Sequence, residues 1–118
     1  MRGFYNTTYK DRIEFYTFAL QLVRKPQDLV DMESSQLCMS DCETILKEIG
    51  YYAINKETNG WEGDMTWKYS HPEAPDITVT ADAYTASLKM QFSAIEDGKE
   101  VNATIFEELL RNWWKKKN

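Results

Sequence analysis

From Tyr84 to Ala94 the chain alternates, with Tyr84, Ala86, Leu88, Met90, Phe92 and Ala94 apolar and Thr85, Ser87, Lys89, Gln91 and Ser93 polar between them. Successive side chains on a strand point to opposite faces. A run of period two this long therefore demands a sheet that buries one face and wets the other. The rest of the chain has to supply partner strands and a cover for the apolar face.

Partner strands are readable upstream. Ile77-Thr78-Val79-Thr80 is strand-like, and His71-Pro72-Glu73-Ala74-Pro75 before it is a loop by its prolines. Asn59-Gly60 is a type I′ hairpin signal, because that turn needs two residues tolerant of positive φ. A two-residue loop there puts Thr58 opposite Trp61, Ile54 opposite Met65 and Tyr52 opposite Trp67, with the large side chains sharing one face. Glu57 then faces Glu62, a mildly unfavourable pair that is tolerable where a surface is kept for a partner. Glu96-Asp97-Gly98-Lys99 closes the sheet region as a turn.

Helices flank these strands. Thr8 as N-cap, with Asp11 three residues on, starts a helix that runs from about Tyr9 to Arg24, where Pro26 stops it. Tyr9, Ile13, Tyr16, Leu20 and Val23 form its stripe, and Phe15, Phe18, Ala19 and Leu22 widen that stripe beyond half the circumference, so two packed sides are expected. Residues 27–39 read as either a short helical turn or loop. Ser40 and Glu43 form a capping box for a second helix that buries Cys42, Ile45, Leu46 and Ile49 and ends at Gly50. Asn102 caps a last helix with Val101 and Phe106 at the staple positions, an apolar stripe of Ile105, Phe106, Leu109, Leu110 and Trp113, and Lys115, Lys116 and Lys117 at its negative end. The expectation is a single domain, 1–118, of α+β class in the order α-α-β-β-β-β-α: two N-terminal helices, a four-stranded antiparallel meander and a C-terminal helix packed on one sheet face.

Charge then narrows function. The net charge is −5, which disfavours direct binding to nucleic acid or to anionic membrane. Residues 28–82 hold twelve acidic and three basic side chains, against two acidic and five basic in residues 1–27. An acidic middle suits a basic protein partner, although it also serves as plain solubilising surface. Glu57, Glu62, Asp64, Glu73 and Asp76 crowd its loops and strand ends. Trp61 at the hairpin tip and Trp114 beside Trp113 are the aromatics expected to contact a partner, or else to pack on the domain's own edge.

Catalytic and metal chemistry find little support. Cys38 and Cys42 are spaced Cys-x-x-x-Cys, not the redox spacing, and read as two buried thiols. His71 is the one histidine, expected to be exposed at a strand end, with no nucleophile motif beside it. A calcium loop starting at Asn55 fails at Glu62 and Thr66. No cofactor fingerprint, secretory signal or membrane span is found, so a cytoplasmic, non-enzymatic protein without metal or cofactor is expected. Small size, acidity and aromatic richness are the general look of inhibitor, immunity or anti-defence proteins of phages and bacteria, with no motif that would carry over a residue. The expected function is therefore a module that covers a basic or nucleic-acid-binding surface of a protein. The alternatives are a ligand pocket walled by Tyr52, Trp67, Tyr69 and Tyr84, or a homo-oligomer subunit joined by a strand edge or Trp114.

Overall fold

The computed structural model describes residues 7–32, 37–59, 63–82, 87–93 and 101–117. Its elements follow as α1 (Tyr9–Arg24), β1 (Val30–Met32), α2 (Met39–Ile49), β2 (Tyr52–Asn59), β3 (Asp64–Ser70), β4 (Ile77–Ala81), β5 (Leu88–Phe92) and α3 (Thr104–Lys117). The strands form one antiparallel sheet in the order β1-β5-β4-β3-β2. The expected meander is present as β2 to β5. A fifth strand joins it: the ambiguous stretch before α2 contains β1, which pairs Val30 with Met90 and Met32 with Leu88. Three residues are too few for a period to declare itself, and only the distant β5 makes them a strand.

The helices lie on one face of this sheet. Tyr69, Ile77, Val79, Ala81, Leu88, Met90 and Phe92 turn toward them and are buried. Phe92 meets Phe106 of α3 edge to face at 5.5 Å, which joins sheet to helix layer, and within that layer Phe15 of α1 meets Trp113 of α3 at 6.1 Å.

α1 starts and ends where its capping box and Pro26 place it, with Thr8 Oγ1 accepting from Asp11 N–H and Asp11 Oδ2 accepting from Thr8 N–H. Its deeply buried side is Phe15, Phe18, Ala19 and Leu22. The stripe through Tyr9 and Ile13 faces outward instead, and Tyr16, Leu20 and Val23 are half-buried along its flank. In α3 the buried positions are Phe106, Leu110 and Trp113, with Ile105 exposed. The helix starts at Thr104, so Ala103 rather than Asn102 takes the cap position, and Val101, though buried, lies one residue further out than the expected staple. Asn102 Oδ1 accepts from Thr104 N–H, satisfying one orphan donor of the first turn.

α2 starts slightly earlier than its Ser40 box implies. Cys38 is the cap, and Asp41 Oδ2 accepts from both the Cys38 N–H and the thiol. Cys38 is consequently exposed while Cys42 is buried, so the two thiols do not share the core. Gly50 ends the helix at φ 113, the left-handed region that costs glycine nothing. A Cβ there would lie 2.7 Å from His71 Nε2, so this position closes sterically as well.

The hairpin register differs from the Asn59-Gly60 expectation. Thr58 pairs with Met65, Glu57 with Thr66 and Lys56 with Trp67, and four residues separate β2 from β3. A bulge between Ala53 and Asn55 then brings Tyr52 opposite Ser70. Tyr52 and Ile54 are 52% and 51% exposed and lie on the face away from the helices. The clash of Glu57 with Glu62 in the expected register does not arise, because Thr66 stands opposite Glu57.

Candidate functional site

The face of the sheet away from the helices carries no covering element among the described residues. Its composition follows from the strand alternation. One cross-strand row runs Asp31, Lys89, Thr80, Thr66, Glu57, and the next runs Gln91, Thr78, Lys68, Asn55. A third is formed by Ser93, whose N–H bonds the Asp76 carbonyl, followed by Ser70 and Tyr52. A shallow groove of about 540 Å³ crosses these rows, with Thr66, Lys68, Thr78, Thr80, Gln91 and Asp76 among its walls and Ile54 at its β2 side. Thr78 is buried here, its hydroxyl bonded to that of Ser93.

Four carboxylates lie on or beside this face: Asp31 from β1, Glu57 from β2, Asp64 at the start of β3, and Asp76 just before β4. Lys68 and Lys89 are the cations among them, and Lys89 stands 3.9 Å from Asp31, a loose exposed pair. Glu57 accepts from Asn55 Nδ2 at 3.0 Å. Glu73 is exposed in the loop between β3 and β4. The fold thus gathers Glu57, Asp64 and Asp76 on one side and sets Glu73 at its end. Trp61 and Glu62 lie outside the described residues.

Trp114 is elsewhere. It projects from α3 toward α1, stacks on Tyr16 at 4.6 Å with a 12° interplanar angle, and has Tyr9 at 5.9 Å. It belongs to the helix layer and cannot share a surface with the sheet acids. Tyr52 likewise sits on the opposite face from Trp67 and Tyr69, so these do not wall a common pocket; Tyr84 lies outside the described residues.

His71 is not the exposed imidazole its loop suggested. Nδ1 accepts from the N–H of Glu73 at 3.0 Å and of Ala74 at 3.3 Å, which leaves the proton on Nε2, 3.3 Å from the Ile49 carbonyl. With both nitrogens on main chain, the ring fastens the β3–β4 loop to the end of α2. Tyr51, packed beside it at 4.9 Å, donates to the Pro75 carbonyl, and burial together with the Asp76 charge pushes its phenol well up.

The most densely connected polar group was not apparent from spacing. Glu43 projects from α2 to the sheet, where Tyr69 Oη donates to it at 2.8 Å and Lys56 Nζ at 3.0 Å, with Lys47 Nζ 3.2 Å away. Lys56 also lies 4.4 Å over the Trp67 ring. Burial alone would raise the Glu43 carboxyl, but the bonds from Lys56, Tyr69 and Lys47 outweigh it and hold the group below its ordinary value. The Tyr69 phenol is driven up, by burial first and by Glu43 second. All three donors are satisfied internally, so the cluster ties α2 to the hairpin.

Among the described residues no three His, Cys, Asp or Glu side chains converge to hold a metal ion, and no helix is long and apolar enough to cross a membrane. No family model, no curated protein and no solved structure matches the chain.

Proposed function

We propose that the protein is a binding module that docks its uncovered sheet face on a basic surface of a protein partner, including one that the partner uses to hold nucleic acid. The observation that carries this reading is the gathering of carboxylates from separate strands on one uncovered face, with a groove between them. A sheet is a stiff platform, so these charges keep their spacing when a partner arrives, and the excess of carboxylates over Lys68 and Lys89 steers a basic partner. An inhibitor that acts by occupying a nucleic-acid site needs that kind of patterned negative surface.

The test is a titration of isotope-labelled protein with an arginine-rich peptide, followed by amide NMR at low and high salt. Shifts centred on Thr66, Thr78, Thr80 and Gln91, lost in the Asp64→Lys, Asp76→Lys double variant and weakened by salt, are the expected result. Shifts confined to α1 and α3, or equal affinity after charge reversal, would overturn the reading.

A further inference from the structure

A second surface lies at the far edge of the sheet. β1 has β5 on one side and, among the described residues, no strand on the other. Among the described residues the main-chain groups on that flank have no ladder partner, which makes the edge a template for another extended chain. The flank also has a wall. α1 stands beside it, and a hollow of about 450 Å³ lies between them over Phe18 and Met32, bounded by Ile13, Glu14 and Thr17. A second hollow of about 350 Å³ continues it past Leu29 and Val30 to Arg24 and Lys25. Gln21 and Asp31 line both, so the two form one trough that follows the strand.

The other edge of the sheet is built differently. β2 carries a bulge between Ala53 and Asn55, and its Lys56 is held by Glu43, features that blunt an edge against pairing. β1 has no bulge in its pairing with β5, and it is flanked by a helix with exposed Ile13 and Leu29 at the two ends of the trough.

We propose that this trough takes an extended peptide segment of a partner protein, added beside β1 as a sixth strand. Main-chain bonds to the edge supply the attachment, and side chains pointing into the trough supply the preference. The Phe18–Met32 floor selects apolar side chains. Glu14 at one end selects a basic residue there, whereas the other end, with Arg24, Lys25 and Asp28, is of mixed charge and selects none. The surface meets the acidic sheet face only at Asp31 and does not depend on the function proposed for that face.

A displayed library of short random peptides, selected on the full chain, tests this. The enriched peptides should alternate apolar and polar residues and carry Lys or Arg at one end. The tightest of them, made synthetically, should shift the amides of residues 30–32 and 13–21. Gln21→Trp fills the trough from an exposed helix position, and it should weaken that peptide by at least about tenfold, the equivalent of ~1.4 kcal/mol, without lowering the melting temperature. Glu14→Lys should abolish the preference for the basic residue. The proposal is overturned if no peptide is enriched over the Gln21→Trp chain, or if the selected peptides map to the outer sheet face or bind as helices. Sedimentation showing that the edge is taken by a second copy, in an association that Gln21→Trp removes, would also overturn it.

Discussion

Replacing Tyr69 with Phe removes one oxygen and leaves the ring in place. The ring is fully buried, and its hydroxyl is 2.8 Å from Glu43 Oε2. A hydrogen bond to a charged group contributes about 1.5–3 kcal/mol, so a loss of about 2 kcal/mol is expected. The lysines on the same carboxylate count for less. Their side chains are 58% and 44% exposed, and exposed ion pairs contribute about 0–1 kcal/mol each. Glu43→Ala should cost more than Tyr69→Phe, about 3 kcal/mol, because it strands the phenol in the core without an acceptor. Urea unfolding followed by circular dichroism reads both, since ~2 kcal/mol moves the midpoint by about 1 M for a domain of this size. A cycle with Glu43→Gln should give a coupling of about 1–2 kcal/mol between the two positions. Because the folded Glu43 carboxyl lies below its unfolded value, its contribution is complete above that unfolded value, ~4.3. The contribution is lost as pH falls through the folded value, and Glu43→Gln should flatten that limb of the stability curve. A Tyr69→Phe loss under about 0.5 kcal/mol, or a coupling near zero, would mean that Glu43 is an ordinary solvated carboxylate and that the hairpin is held by packing alone.

Gly50→Ala should destabilise by about 2 kcal/mol in thermal melts, since it meets both the left-handed backbone and the His71 ring; in a His71→Ala background the added cost should shrink as the ring contact disappears. Native protein should expose one fast thiol to Ellman's reagent and unfolded protein two, because burial, reinforced by the neighbouring Cys38 and Asp41, pushes the Cys42 thiol far up while Cys38 is exposed; two fast thiols in the native state would contradict this. Trp113→Phe should cost about 2 kcal/mol in urea, since the indole N–H donates to Glu48 Oε2 at 2.8 Å, and a loss no larger than that of Glu48→Gln would assign the cost to that bond alone.

Local signals in the chain were strong where the structure obeys local rules. Thr8, Asp11 and Pro26 bound α1 because capping and helix termination depend on neighbours within a turn. Leu88, Met90 and Phe92 face inward because alternation is a property of one strand. The misses within a turn are small, as in the cap of α2 at Cys38 instead of Ser40, and the larger ones are non-local. Asn59-Gly60 favours a tight turn, but Met65, Trp67 and Tyr69 must also pair with Ala81, Val79 and Ile77, and Lys56 must reach Glu43; together these accompany a longer loop and a different register. Tyr52 and Ile54 move outward with it. Val30 to Met32 is too short to alternate visibly. Glu43 looks like a cap residue until Tyr69, far along the chain, offers it a proton. At the candidate site, strand parity placed Glu57 and Asp64 on one sheet face only once the register was known, and nothing in the spacing of Trp114 revealed that Tyr16 would cover it.

The place of β1 in the sheet sets an order of events. Residue 30 must find residue 90, whereas β2 to β5 join neighbour to neighbour. Loop closure grows with the logarithm of the enclosed length, so this pairing costs about 2 kcal/mol more than the turn between β2 and β3. The meander can assemble first and the short strand completes it. In the folded state the same strand, three residues long at the sheet edge, can be released on its own, baring the edge of β5 while the rest of the sheet stays closed. Hydrogen exchange at the β1 amides that bond to β5 would then report a local opening, faster than the global rate, and a chain still emerging from the ribosome would hold an unfinished sheet until Phe92 had cleared the exit.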